Sequence, residues 1–253
     1  MSVNTIAVIT GGNRGLGRAT ALALGAAGTD VVITYRGNEK EAAEVVEELT
    51  AMGRKAVALR LDTTAFEGLP AFARTLAGAL RATWGRETFD FLVNNAGSSA
   101  FSPLGATGAE TFDVLVDVHF KGVFFLTQEL LPLLADGGRI VNTSTALTRF
   151  VGEGWSVYAA VKSAVETYTR YLAKELGPRR ISVNAVAPGP VATDFAGGAI
   201  RDDEELRAVM ASRAALGRVA EAEDIGPVVA ALLAPGTGWI TGQRVEASGG
   251  TLL

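Results

Sequence analysis

Short apolar runs rich in β-branched residues alternate along the chain with longer stretches of helical period. Thr5–Thr10, Val31–Tyr35, Ala56–Leu61, Phe89–Val93, Arg139–Thr143, Ile181–Val186 and Arg244–Ala247 read as buried strands, because apolar positions run on with few polar interruptions. Helix-length segments fall at about 15–27, 39–52, 65–83, 107–135, 155–176 and 221–233, several of them stopped by Gly28, Gly53 or Pro178. Strand and helix in strict alternation imply parallel strands joined by right-handed crossovers. The length also suits a closed (β/α)8 barrel, but a count of seven strands favours an open sheet. The fold class predicted is therefore α/β: a single-domain Rossmann fold over residues 1–253, with a seven-stranded, mostly parallel sheet and helices on both faces. Residues 195–213 break the alternation and read as an inserted substrate flap.

Composition narrows the chemistry. The 253 residues carry 23 Lys and Arg against 27 Asp and Glu, a net charge of −4, and 48% are apolar, which supports a sizeable core. An acidic chain with no basic cluster predicts no nucleic-acid partner. Cysteine is absent and His119 is the one histidine, which excludes disulfides, thiolate nucleophiles and multi-histidine metal sites. No apolar run approaches the length of a membrane span, and Met1-Ser-Val-Asn-Thr5 lacks the charged start of a secretory leader. No membrane partner and a cytoplasmic location are expected.

Gly11, Gly12, Gly15 and Gly17, with Asn13, Arg14 and Leu16 between them, join the first strand to the first helix. Such a turn lets a pyrophosphate approach the free N–H groups of a helix start. Taken alone it is also compatible with an ordinary glycine-packed turn. The end of the second strand bears on the choice. NAD-preferring folds usually place an acidic residue there, whereas this chain has Tyr35-Arg36, and Arg14 lies in the turn. Two guanidiniums suit the 2′-phosphate of NADP(H), although Arg36 could equally be a solvated loop charge.

Tyr158 and Lys162 are four residues apart on a predicted helix and so share a face. A phenol ionises near pH ~10 and is poorly matched to proton transfer at neutrality, while a neighbouring ammonium lowers that value. In this order and spacing, the glycine turn, Asp62, Asn94-Asn95-Ala96-Gly97, Tyr158-Ala-Ala-Val-Lys162, Pro188-Gly189-Pro190-Val191 with Thr193, and Thr241-Gly242 resemble the short-chain dehydrogenase/reductase family over nearly the whole chain. Within it the chain is most similar to 3-oxoacyl-carrier-protein reductase-like members.

The resemblance implies an NADP(H)-dependent oxidoreductase acting on a small-molecule carbonyl or secondary alcohol. Tyr158 would be the general acid, and Lys162 would hold the nicotinamide ribose and depress the Tyr158 pKa. The cofactor would lie along Gly11 to Gly17, Tyr35, Arg36, Asp62, Asn95, Ala96, Gly97, Pro188, Gly189, Val191 and Thr193. Two positions depart from the pattern. Thr145 stands where the family has serine and keeps the hydroxyl; His119 stands where the family has asparagine, and would either bind a water in the proton path or serve as a packed polar residue. The same resemblance implies a homotetramer, with the small residues Ala159, Ala160, Ser163, Ala164 and Thr167 at an interface.

Ser98, Ser99, Leu147, Trp155, Pro190 and Phe195 would face the substrate, a mainly apolar set that suits a hydrophobic ketone or aldehyde. Three alternatives stay open: a 3-oxoacyl-carrier-protein reductase, disfavoured by Asp136 before the fifth strand; a non-catalytic NADP(H)-binding sensor; and an NAD-linked sugar or polyol dehydrogenase, disfavoured by the two arginines.

Overall fold

A computed structural model describes residues 4–253; Met1, Ser2 and Val3, part of the stretch read for a leader, lie outside it. Seven strands form one sheet in the order β3-β2-β1-β4-β5-β6-β7. They are β1 (Ile6–Ile9), β2 (Asp30–Tyr35), β3 (Ala56–Arg60), β4 (Phe89–Asn94), β5 (Leu134–Thr143), β6 (Ser182–Pro188) and β7 (Arg244–Ala247). Every pairing is parallel. Strand order reverses between β1 and β4, which opens a crevice beyond their C-terminal ends.

The apolar runs in the sequence follow from burial on both faces. Ile6 and Val8 of β1 point into one core with α3 (Leu69–Trp84) and α5 (Gly122–Leu130), through Leu76, Leu80, Leu126 and Leu130. Ala7 and Ile9 point into the other, against Leu24 of α1 (Gly15–Ala26), Val45 and Leu49 of α2 (Glu39–Ala51), and Ile225 and Val229 of α9 (Ala222–Leu233). Alternation across a doubly covered sheet leaves no polar face to mark the period.

Helix α1 is gripped closely. A Cβ on Gly17 would lie 2.1 Å from the Gly11 carbonyl oxygen, and one on Gly226 of α9 would lie 2.4 Å from the Ala19 carbonyl oxygen. These glycines permit backbone-to-backbone contact on both flanks of the helix.

One predicted segment needs correction, and a second gains detail. The helix expected over 107–135 is α4 (Ala109–Val116), a π-helical turn (Asp117–Lys121), α5, and a 3-10 turn (Leu131–Leu133). Residues 134–135 belong to β5, which starts before Arg139 because Leu134 pairs with Phe89 ahead of a register shift. The segment 195–213 is helical for most of its length, with a 3-10 turn (Phe195–Gly198), α7 (Ala199–Asp202) and α8 (Glu204–Ser212). Ala196 has φ 56°, a left-handed conformation that costs a non-glycine residue about 1 kcal/mol. Among the described residues no helix is long and apolar enough to cross a membrane, and no acidic or histidine cluster suits a metal ion.

Candidate active site

The crevice is floored by the glycine turn. Gly11 has φ 63°, and a Cβ there would come within 3.1 Å of Ala96 Cα, so the turn lies against the 94–97 segment. Thr10 Oγ1 accepts from the backbone N–H groups of Asn95 and Ala96 at 2.9 Å, and Asn95 Nδ2 donates to the carbonyls of Thr10 (2.9 Å) and Gly11 (3.2 Å). Arg14 precedes α1 without capping it, and no acidic side chain occupies the first turn. The helix therefore presents free N–H groups and an uncompensated positive dipole end, which fits a pyrophosphate.

Arg36 and Arg60 lie together at the C-terminal ends of β2 and β3. The strand register sets Tyr35 beside Arg60, and Arg60 Nε donates to the Arg36 carbonyl at 3.4 Å. Both guanidiniums act on Asp62: burial raises its carboxyl, but hydrogen bonds from Thr64 and these two charges hold it below the usual range. Arg14 has its guanidinium 3.8 Å from Asp194. The second cation beside Arg36 is thus Arg60, which only the strand register identifies. Asn13 donates to Glu41 at 2.7 Å.

At the other end, β6 delivers Pro188, and a Cβ on Gly189 would meet Ser248 at 2.8 Å. Val191 bridges to Ala220, and Thr193 lies over Gly15, with its methyl 4.0 Å from where a Cβ would stand. These contacts bring Thr193 against the glycine turn, which itself lies against the 94–97 segment.

Helix α6 (Ser156–Glu175) buries a stripe of Tyr158, Val161, Lys162, Val165, Thr169 and Leu172 at helical spacing, which points Tyr158 and Lys162 into the crevice. Lys162 Nζ donates to the Thr143 carbonyl at 2.7 Å and stands 5.8 Å from the Tyr158 ring centre. The expected lowering of the phenol by this ammonium is not found. Burial pushes the Tyr158 phenol up, and the neighbouring Thr145 hydroxyl pulls it back. Burial also brings Lys162 down to about 7, so the ammonium is itself near the edge of neutrality.

Thr145 and Ser144 have separate fates. Ser144 Oγ turns away to Glu166, while Thr145 stays beside Tyr158. Thr145 Oγ1 accepts from the Leu147 N–H at 3.3 Å, which leaves its own hydrogen available to an incoming oxygen.

His119 sits buried in the π-helical turn. Its Nε2 lies 2.7 Å from the Ser98 carbonyl, which makes it the protonated nitrogen, and its ring meets Tyr158 edge-on at 5.1 Å. Burial first and the Lys162 charge second hold its pKa well below 6.5, so the imidazole is neutral. Tyr158 also contacts Trp155 (5.8 Å between centroids) and Phe195 (5.8 Å), and Phe101 continues the run from Trp155 at 6.2 Å. Of the residues expected to face substrate, Ser99 bridges to the segment 195–213 by accepting from the Ala196 N–H at 3.0 Å.

Residues 11–251 match the sequence profile of a family described as Enoyl-(Acyl carrier protein) reductase. A hydroxynaphthalene reductase-like protein, Arp2, from Metarhizium brunneum (strain ARSEF 3297) is 36% identical over 98% of this chain and 94% of its own length. The structure of LugOII, described as a promiscuous reductase catalysing keto-reduction at C1 in lugdunomycin biosynthesis, superposes with a TM-score of 0.94, at 36% identity and full coverage of both chains. The angucycline C-6 ketoreductase LanV with bound NADP follows at 0.93 and 35%, covering 99% of this chain and 96% of its own.

The chain belongs to the short-chain dehydrogenase/reductase family. It is an oxidoreductase acting between a carbonyl and an alcohol, and its cofactor is NADP(H).

Proposed function

We propose that this short-chain reductase uses NADPH to reduce a ring ketone on a fused, hydroxylated aromatic substrate. The observation that carries the reading is the run Phe101–Trp155–Tyr158–Phe195, which lines the approach to the phenol with aromatic faces. A planar ring system gains stacking and dispersion there, whereas a sugar would leave its hydroxyls without partners. The names of the relatives agree: hydroxynaphthalene reductase-like Arp2, and LanV, solved also with rabelomycin.

In this reading bound NADPH supplies the hydride. Tyr158 gives its proton to the carbonyl oxygen, and Thr145 donates a hydrogen bond to the same oxygen as charge develops on it. Lys162, fixed on Thr143, holds the nicotinamide ribose. Arg36 and Arg60 grip the 2′-phosphate, the α1 N-terminus holds the pyrophosphate, and residues 195–213 act as the flap over the substrate. His119 is a packed, neutral wall of the site. The carrier-protein alternative is weakened at one point, because Arg179 near β5 is engaged with Asp136 and with main-chain carbonyls.

The reading extends to a cytoplasmic homotetramer. Exposed Phe112, Val114, Phe125 and Tyr171 on α4, α5 and α6 support self-association, which light scattering would read as the mass of four chains. NADPH consumption with α-tetralone, linear ketones, a β-ketoacyl thioester and sugars tests the substrate class. Turnover of the fused-ring ketone that disappears in Tyr158→Phe is the expected result; preference for sugars or the thioester would overturn it.

A further inference from the structure

The two hydroxyls on which the proposed chemistry depends sit on different segments: Tyr158 on α6, Thr145 on the turn after β5. Glu166 lies two helical turns beyond Tyr158 and one beyond Lys162 on the same side of α6, yet it serves neither. Its Oε1 accepts from Ser144 Oγ at 2.5 Å, Thr148 Oγ1 at 2.8 Å and Arg244 Nε at 2.8 Å. Arg244, on the edge strand β7, also donates from Nη2 to the Thr145 carbonyl at 3.3 Å and from Nη1 to Glu246 at 2.9 Å. Glu246 in turn accepts from Arg149 Nε (2.7 Å) and Nη2 (2.6 Å), and Arg149 donates to the carbonyls of Leu252 (2.9 Å) and Thr251.

This chain of four charges fastens the turn 144–149 almost completely. The Ser144 side chain, the Thr145 carbonyl, the Thr148 hydroxyl and the Arg149 guanidinium are all committed to it. The Thr145 hydroxyl is left out, and it is the group that faces Tyr158. Glu166 and Arg244 are little exposed, so their charges are weakly screened, and Glu166 depends on Arg244 for compensation. An ordinary surface ion pair would have neither property.

We propose that Glu166 and Arg244 are positioning residues that fix the Thr145 hydroxyl against Tyr158, and that they link this geometry to β7 and the C-terminal Thr251–Leu252. The inference rests on the roles assigned above to Tyr158 and Thr145. It accounts for a carboxylate that binds no reactant, sits within reach of the active turn, and collects two hydroxyls and a guanidinium on a single oxygen. It also makes the main chain at Thr251 and Leu252 part of what sets the rate.

The test uses the full chain with NADPH, comparing wild type with Arg244→Met, Arg244→Lys and Glu166→Gln. Steady-state reduction of α-tetralone, NADPH affinity and amide hydrogen exchange over residues 143–150 are measured together. Arg244→Met and Glu166→Gln are expected to lower kcat by about 10–100-fold, the scale of a misplaced reacting group, with KM and NADPH affinity within about twofold of wild type. Exchange should quicken in 143–150 and nowhere else, and Arg244→Lys, which retains an ion pair with Glu166, should recover part of the rate. An unchanged kcat would overturn the proposal, as would losses spread evenly over kcat, KM, NADPH affinity and global exchange. If wild type does not reduce α-tetralone, the substrate reading has failed separately, and exchange decides: quickening confined to the turn supports the positioning role, and unaltered exchange rejects it.

Discussion

Lys162 Nζ is bonded to the Thr143 carbonyl at 2.7 Å and stands 5.8 Å from the centre of the Tyr158 ring. The ammonium is therefore anchored to the sheet and makes no hydrogen bond to the phenol. With burial raising the phenol and lowering Lys162 to about 7, the pair is poised against charge at both members. The group that eases ionisation of Tyr158 is Thr145. Thr145→Val should accordingly lower kcat by about 10²-fold or more while NADPH affinity holds, and steady-state kinetics beside a fluorescence titration of NADPH would check this.

Lys162 also makes a pH prediction. Its folded pKa of about 7 lies below the ordinary 10.5, so protonation favours the unfolded chain. The destabilisation is complete below pH 7 and fades as pH rises toward 10.5. Lys162→Met should therefore melt higher than wild type at pH 6, and the gap should close by pH 10. Calorimetry across that range is the measurement, and a gap independent of pH would contradict a depressed lysine.

Glu246 works in the opposite sense. Its bonds from Arg149, then Ser248 and Arg244, hold it at about 2, against 4.5 for an ordinary glutamate, despite the burial that opposes them. Its contribution to stability is present above pH 4.5 and is lost as pH falls through 2. Glu246→Gln should cost on the order of 1–3 kcal/mol at pH 7 and much less at pH 2, read from urea unfolding at the two pH values.

Cofactor choice is expected to rest on Arg36. Arg36→Ala should weaken NADPH by about 10–100-fold and leave NADH nearly unchanged, the loss of a charge-assisted contact worth about 1.5–3 kcal/mol. Arg60→Ala should act in the same direction and Arg14→Ala less, since Arg14 faces Asp194. Equal losses for both cofactors would place the arginines elsewhere than at the 2′-phosphate.

His119 is held neutral by burial and by the nearby Lys162 charge, against the opposing pull of its bond to Ser98. The pH–rate profile of His119→Asn should keep the same inflections as wild type between pH 5 and 8. A shifted inflection would restore the histidine to the proton path.

Much of this was legible in the chain because the signals are local. The strands announce themselves as apolar runs, the glycine turn follows the first of them, and Tyr158 and Lys162 share a helix face. What escaped depends on distant pairings. Nothing in Leu115–Lys121 forbids a regular helix; the π-helical turn there holds His119, whose partner Ser98 is 21 residues away. Arg60 joins Arg36 only through the register of β2 and β3. Arg244 lies 78 positions from Glu166, and no spacing rule links them. Side-chain direction was equally hidden: adjacent Ser144 and Thr145 look interchangeable until the extended turn sends them opposite ways.

The glycines that flank α1 carry one more consequence. Where backbone meets backbone at Gly17 and Gly226, the helix has no side-chain cushion on which to slide or tilt. The cradle at its N-terminus is thus rigid before any dinucleotide arrives, and the entropy of ordering it is spent during folding. Binding then gives up little freedom on the protein side, so a larger share of the contact energy is expressed as affinity. The same rigidity allows no adjustment: an alanine at Gly226 would displace helix α1 through Ala19 and weaken the cofactor site without touching a residue that lines it, whereas one at Gly17 would press on Gly11 and Asn95 directly.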